Sequence, residues 1–268
     1  MDVERSLDLL WRDRAEALQP SRGRKPRLTL DQVISTAVTL ADAEGEATVS
    51  MSQIAKELGV GTMTLYTYVP GKTELLDLMV DSVLAERDLL GPGEPQPDGW
   101  REQVRLYAER TLTVFRKHPW LRSTSMARPV LGPGLMAGQE YLIAAVSDIG
   151  LAPREAVAAA SSIEIYVQAN AALTAETAQV EQRTGQTTDA WWGQRSVFWE
   201  RYFDVGRHPA MTRIWESGGY ETETCEADDE SFTFGLERLL DGIGALVAPR
   251  NAGVPGPDSS TGRPPSCT

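Results

Sequence analysis

Between Met51 and Tyr68 two short helical patterns of apolar residues are separated by three residues, Gly59-Val60-Gly61. Few folds accommodate that spacing. Neither segment is long enough to hold a helix alone in water, so each needs a shared core. A three-residue connection turns the second helix sharply across the first. Ile54, Leu58, Val60 and Leu65 are spaced to supply the common core. Ala55 is small where the two helices cross, and Gly59 can take the positive φ that a sharp turn requires. Ser50 and Gln53 form a capping box ahead of the first helix.

The same grammar continues on both sides. Thr29 and Gln32 form another capping box, followed by Leu30, Val33, Ile34, Ala37, Val38 and Ala41 at helical spacing and a stop at Gly45. Pro70-Gly71 breaks the chain before a helix from Lys72 to about Leu89, with Leu75, Leu76, Met79 and Val83 on one side. Residues 91–99 (GPGEPQPDG) read as a linker. Beyond it helices are expected over 100–117, 131–148, 153–183, 189–205 and 229–247, with a short one near 209–217. No strand-like alternation appears. The expected fold class is all-α. An N-terminal helix-turn-helix unit occupies 29–90, and a larger helical domain occupies 100–248. Residues 1–28 read as an arm with at most a helical turn or two near Leu7–Trp11. Residues 249–268 read as a disordered tail, with five prolines and three glycines.

Composition narrows the function classes. The 268 residues include two cysteines, Cys225 and Cys267, which excludes a disulfide framework. No signal peptide or membrane-length apolar run is read, so a cytoplasmic protein with no membrane association is expected. The two histidines, His118 and His208, each precede a proline and have no companion at metal-ligand spacing. No nucleophile elbow, phosphate loop or dinucleotide fingerprint is present. An enzyme, a metal site and a bound cofactor are therefore not expected. Net charge is −12, which repels nucleic acid, yet residues 1–72 carry only −1 of it. Within them, 21–27 (SRGRKPR) holds Arg22, Arg24, Lys25 and Arg27 and no acid. Such an arm binds nucleic acid or serves as a solvated linker.

In a helix-turn-helix unit the second helix enters the major groove of DNA, and its first residues meet base edges. Here they are Gly61, Thr62, Met63 and Thr64. Tyr66 and Tyr68 are read as exposed hydroxyls able to donate to phosphates. Lys72 opens a helix, where a cation opposes the helix dipole unless an anion is expected beside it. A plain helical hairpin inside a bundle is the alternative. Arg22-Gly23-Arg24 adds an arm suited to a narrow A·T minor groove.

Residues 30–84, above all IAKELGVGTMTLYTYVPGKTELLDLMVD (54–81), resemble the DNA-binding domain of the TetR family of bacterial transcriptional repressors. HPWL (118–121), HPAM (208–211) and FGLERLLDGIGALV (234–247) are similar to the tetracycline-repressor-like C-terminal domain. The resemblance implies an all-helical homodimer that binds a palindromic double-stranded operator and is released by a small-molecule effector, with an antibiotic or related metabolite as the suggested class. Carried over by position, Thr64, Tyr66 and Lys72 match the family's DNA-contacting residues, and Thr62 and Tyr68 match variable ones. Ser50 and Ser52 are added at the start of the first helix of the pair. Some members carry arginine where this chain has Ser52, so one strong guanine contact is missing. A transcriptional activator, or a small-molecule-binding protein without DNA function, remains an alternative.

For the second domain, Phe232, Leu236, Leu239 and Ile243 form a stripe expected at the dimer interface. The resemblance implies that this helix and 153–183 pack against their copies. Trp120, Trp191 and Trp199, with Arg128, Gln139, Glu164, Gln168 and Asn170, are candidate effector-binding residues. An apolar cavity with a few placed polar groups is what a drug-sized ligand requires.

Overall fold

The computed structural model describes residues 3–12, 28–125, 128–220 and 224–251, and among these every regular element is helical. Helix α1 spans Val3–Leu10, α2 Leu30–Glu44, α3 Met51–Glu57, α4 Thr62–Tyr68 and α5 Lys72–Ala85. After the linker come α6 (Trp100–Lys117), a 3₁₀ turn (Pro119–Ser123), α7 (Pro133–Ser147) and the long α8 (Pro153–Thr184). Then follow α9 (Thr188–Gly193), α10 (Ser196–Arg201), α11 (Pro209–Glu216) and α12 (Thr224–Asn251).

Both capping boxes form. Thr29 Oγ1 accepts from Gln32 N while Gln32 Oε1 accepts from Thr29 N, and Ser50 and Gln53 repeat the pattern. The end of α3 is equally well determined. Val60 N donates to Ala55 O at 2.9 Å and Gly59 N to Lys56 O at 3.2 Å, with Gly59 at φ +65°. This left-handed cap satisfies the last carbonyls of α3 and sets where α4 begins.

Two stretches add to or correct the expected organisation. The first residues form a helix of about two turns, and it is packed against the domain instead of standing off as an arm. Helix α1 lies against α5 with Leu10 buried, Trp11 Nε1 donates to Leu131 O at 2.9 Å, and Arg12 pairs with Asp31. The expected helix 189–205 is two helices, α9 and α10, broken at Gln194-Arg195. The first half-helix is capped by Thr187, whose side chain accepts from Ala190 N, and across the break Trp192 lies against Trp199 with ring centres 6.4 Å apart.

The interior falls into two clusters that meet at α6. One gathers Val33, Ile34 and Ala37 of α2, Ile54 and Ala55 of α3, Leu65 of α4 and Leu75, Leu78 and Met79 of α5. It does not stop at the linker, because Trp120 and Leu121 of the 3₁₀ turn and Ala171 and Ala175 of α8 belong to it. The other gathers Tyr107, Leu142, Ile163, Val167 and Leu240 from α6, α7, α8 and α12. Helix α7 crosses α5 closely, and glycine makes this possible. A Cβ at Gly134 would sit 2.2 Å from the backbone oxygen of Asp81 and 2.9 Å from Ala85 N. Buried Asp81 then accepts from Leu135 N at 3.0 Å, anchoring the start of α7.

That crossing generates a stability prediction. Gly134→Ala must push α7 off α5 and is expected to cost about 1–3 kcal/mol, as overpacking does. Urea unfolding measures it, and an unchanged midpoint would contradict the crossing.

Candidate nucleic-acid interface and effector site

Helix α4 is held by its inner side and open on its outer one. Leu65 is fully buried, whereas Met63 is 77% and Tyr66 42% exposed. Thr64 is exposed and Thr62 half-buried. Leu65 and Val69 thus fix the helix to the core and turn Met63, Thr64 and Tyr66 outward together. Ser52 is exposed and Ser50 half-buried, with their hydroxyls 3.0 Å apart. Ser50 is engaged as the cap of α3.

Tyr68 departs from the expected exposed hydroxyl. Its ring is half-buried, and its OH donates to Leu28 O at 2.9 Å. The side chain ties the end of α4 to the residue leading into α2. Lys72 is exposed, and its Nζ donates to Ala47 O at 3.1 Å rather than standing free beside the start of α5. Arg22, Arg24, Lys25 and Arg27 lie outside the described residues.

The effector candidates do not converge on one cavity. Trp120 belongs to the junction between the two domains. It is 2% exposed, and its Nε1 donates to Asp42 Oδ1 at 2.8 Å. Trp191 and Trp199 lie on α9 and α10 in an exposed aromatic group with Trp192, Phe198, Phe203 and Trp215. Arg195 stacks over Trp191, its Cζ 3.7 Å from the ring centre. Arg128 is exposed, Gln139 is half-buried on α7, and Asn170 donates to Tyr166 O of its own helix at 2.7 Å.

Glu164 and Gln168 do come together. Gln168 Nε2 donates to Glu164 Oε1 at 3.0 Å. Burial raises the Glu164 carboxyl above its ordinary range, opposed by the charge of Arg87 and the Gln168 bond. The neighbours of this pair are Arg87 and Tyr107, neither of which pattern reasoning selected. Arg87 is 2% exposed with no carboxylate in ion-pair range among the described residues. It donates to Leu84 O at 2.9 Å, Gly134 O at 2.8 Å and Tyr107 OH at 3.3 Å. Gly138 leaves room for the guanidinium, since a Cβ there would lie 2.4 Å from Nη2. Burial also raises the Tyr107 hydroxyl, with Arg87 opposing. Thr111 Oγ1 and Tyr141 OH are buried without a hydrogen-bond partner among the described residues. Buried polar groups without partners are costly and few in native proteins. A second feature is a cleft of about 230 Å³ between α6 and α12, lined in part by Arg105, Leu112, Phe232 and Glu237.

The expected dimer stripe faces inward. Leu236 and Ile243 are buried with Leu240, while Phe232 and Leu239 pack half-buried against the same cluster. Phe232 stacks on Tyr166, with ring centres 5.8 Å apart. Both sides of α12 carry apolar residues, and the outward one holds Phe234 and Leu246. Helix α8 likewise turns Val157, Ile165 and Leu173 to the outside.

A short cross-helix with an open outer side, set on an all-helical second domain, defines a helix-turn-helix regulator. Residues 33–79 match the family described as bacterial regulatory proteins, tetR family, and residues 92–247 match the tetracyclin repressor-like, C-terminal domain. The chain belongs to the TetR family of transcriptional regulators. It is 42% identical over 249 residues to the HTH-type transcriptional repressor DrrR1 of Streptomyces coeruleorubidus, covering 93% of this chain and 88% of that one. Among solved structures it is similar to apo ActR from Streptomyces coelicolor, with 28% identity and a TM-score of 0.66 over 85% of this chain and 100% of that one. ActR in complex with actinorhodin gives 27% and 0.65, over 83% and 99%.

Two predictions follow the geometry of these groups. Tyr68→Phe removes the bond to Leu28 and is expected to lower stability by about 1 kcal/mol. Its DNA affinity, measured well below the melting point, should match the wild type, and a large loss would return Tyr68 to the DNA surface. Glu164→Gln should raise the melting temperature at neutral pH. The folded chain disfavours the ionised carboxylate, so the penalty is present above the raised folded value and vanishes as pH falls below it. Thermal scans of both proteins should therefore converge toward acidic pH.

Proposed function

We propose that this chain is a ligand-responsive transcriptional repressor that binds a palindromic operator as a homodimer and is released by a small molecule. The observation that carries this reading is the outer side of α4, with Thr62, Met63, Thr64 and Tyr66, set on a core shared with the second domain. Base edges are read by Thr62 and Thr64, while Tyr66 and Lys72 meet phosphates; Lys72 exchanges its carbonyl partner for one. The arm residues Arg22, Arg24, Lys25 and Arg27 add minor-groove contacts beside each half-site. Dimerisation uses the outward residues of α8 and α12, Val157, Ile165, Leu173, Phe234 and Leu246, in place of the inward stripe. An exposed apolar surface of this extent calls for a partner, and a two-fold dimer matches a palindrome.

For the effector we place recognition at Arg87, Tyr107, Thr111, Glu164 and Gln168. A ligand there gains donors and acceptors already removed from water. The relationship to ActR, solved with actinorhodin, supports a small molecule as the releasing agent.

The test uses a duplex selected by the full chain from a randomised library, with light scattering of the complex for stoichiometry. Two chains on one two-fold symmetric sequence are expected, and a single chain on an asymmetric site would refute the dimer. Lys72→Ala should weaken binding to all duplexes alike and flatten the log–log salt dependence by about one unit. Replacing the four basic arm residues by glutamine should remove up to about 3–4 units per protomer. A change in base preference with Lys72→Ala would reassign it from phosphate to base.

A further inference from the structure

The motif HPWL occupies the seam between the two domains, and its histidine is more tightly held than packing alone requires. His118 ends α6, 1% exposed. Its Nδ1 lies 2.8 Å from Asp42 Oδ1 on α2, and its Nε2 lies 3.1 Å from Glu86 Oε2 just beyond α5. Both oxygens are already acceptors. Asp42 Oδ1 takes the indole N–H of Trp120 at 2.8 Å, and Glu86 Oε2 takes the ammonium of Lys117. An ionised carboxylate can only accept, so the ring nitrogen facing each of these oxygens must be the donor. Neutral imidazole has one N–H, and this geometry uses two.

We propose that His118 is a positioning residue that docks the DNA-binding domain onto the effector domain as a protonated, doubly paired imidazolium. Its ionisation sets how firmly α2, and with it the reading helix α4, is held. The consequence for DNA rests on the repressor reading above; the docking itself does not.

The groups around the ring account for its charge. Helix α2 presents Asp42, the residues after α5 present Glu86, and α6 presents Lys117, which neutralises part of Glu86. Glu86 resists burial, which alone would raise its carboxyl, and the Lys117 and His118 bonds bring it below the ordinary range. On the 3₁₀ turn, Arg122 is directed away to Gln179 and Glu176 of α8. Asp88, two residues past Glu86, faces Arg110. Two carboxylates therefore meet one histidine, and among the described residues no second cation pairs with Asp42. The docked seam uses both ring N–H groups, so it keeps both bonds only while the imidazolium is present. By linkage, docking is strongest at low pH and weakens as pH rises through the ionisation of His118. Loss of the proton turns one ring nitrogen into a lone pair against a carboxylate, and the bond to α2 or to α5 is lost.

Three readouts on the full chain decide this. The first is the ring ¹⁵N spectrum of histidine-labelled protein, assigned by His208→Gln because the chain has two histidines. Two protonated nitrogens on His118 near neutral pH are expected, and one bare nitrogen there overturns the proposal. The second is amide-exchange protection of 38–47 and 117–124 between about pH 6 and about pH 9. Protection should fall with rising pH in the wild type and be low and flat in His118→Gln. Asp42→Asn keeps an acceptor for Trp120 but removes the charge, and should move the wild-type decline lower by about one unit or more. Equal profiles for wild type and Asp42→Asn overturn the proposal even if His118→Gln does not fold. The third is affinity for the library-selected duplex. It should decline by up to about tenfold per pH unit per protomer above the ionisation, a component absent from His118→Gln. Identical pH profiles for the two proteins would remove His118 from the control of DNA binding. If no duplex is selected, the repressor reading fails, while the ring spectrum and the exchange profiles still decide the docking.

Discussion

The two helices of the helix-turn-helix unit have seven residues each, well below the length at which a helix persists alone. Everything outward on α4 therefore depends on what lies beneath Leu65 and Val69. That support is α2 and α5, and it continues without interruption into Trp120, Leu121 and α8. The core beneath α4 is shared with the second domain, and one carboxylate, Asp42, joins α2 to His118 and Trp120. A linker rich in proline and glycine joins the domains in sequence, yet the mechanical connection runs elsewhere, through α5 and the 3₁₀ turn.

This explains which parts of the molecule were legible in the sequence. Local signals carried the helix-turn-helix unit: two capping boxes, the left-handed Gly59 and the spacing of Ile54, Leu58 and Leu65 need only neighbours within a few residues. The TetR-like motif followed from them. What depends on distant partners was not legible. Tyr68 reads as an exposed hydroxyl until Leu28, forty residues earlier, comes to meet it. Trp120 reads as one of many aromatics until Asp42 claims its indole. Helix α12 misled for a different reason. Phe232, Leu236, Leu239 and Ile243 lie on one side and Phe234 and Leu246 on another, so periodicity alone gives no preference between core and partner. Arg87 carried no signal at all, because a lone arginine after a helix is ordinarily solvated.

The interior of the second domain is where this architecture is least settled energetically. A buried guanidinium and phenol meet a half-buried carboxylate and amide where α5, α6, α7 and α8 converge, and Thr111 and Tyr141 bring hydroxyls with no hydrogen-bond partner among the described residues. A core optimised only for stability would replace such groups with apolar ones of similar volume. Arg87 is the most consequential of them. It donates to the last carbonyls of α5 and to the first turn of α7, so it fixes the same crossing that Gly134 makes possible. Any ligand that draws the guanidinium toward itself withdraws those bonds from the end of α5. The other end of α5 leads directly to α4 through Pro70 and Gly71. A polar interior and a pair of marginal helices are thus joined by one rigid fourteen-residue element, Lys72–Ala85. Differential contacts at one end are what a ligand needs to shift a two-state equilibrium at the other.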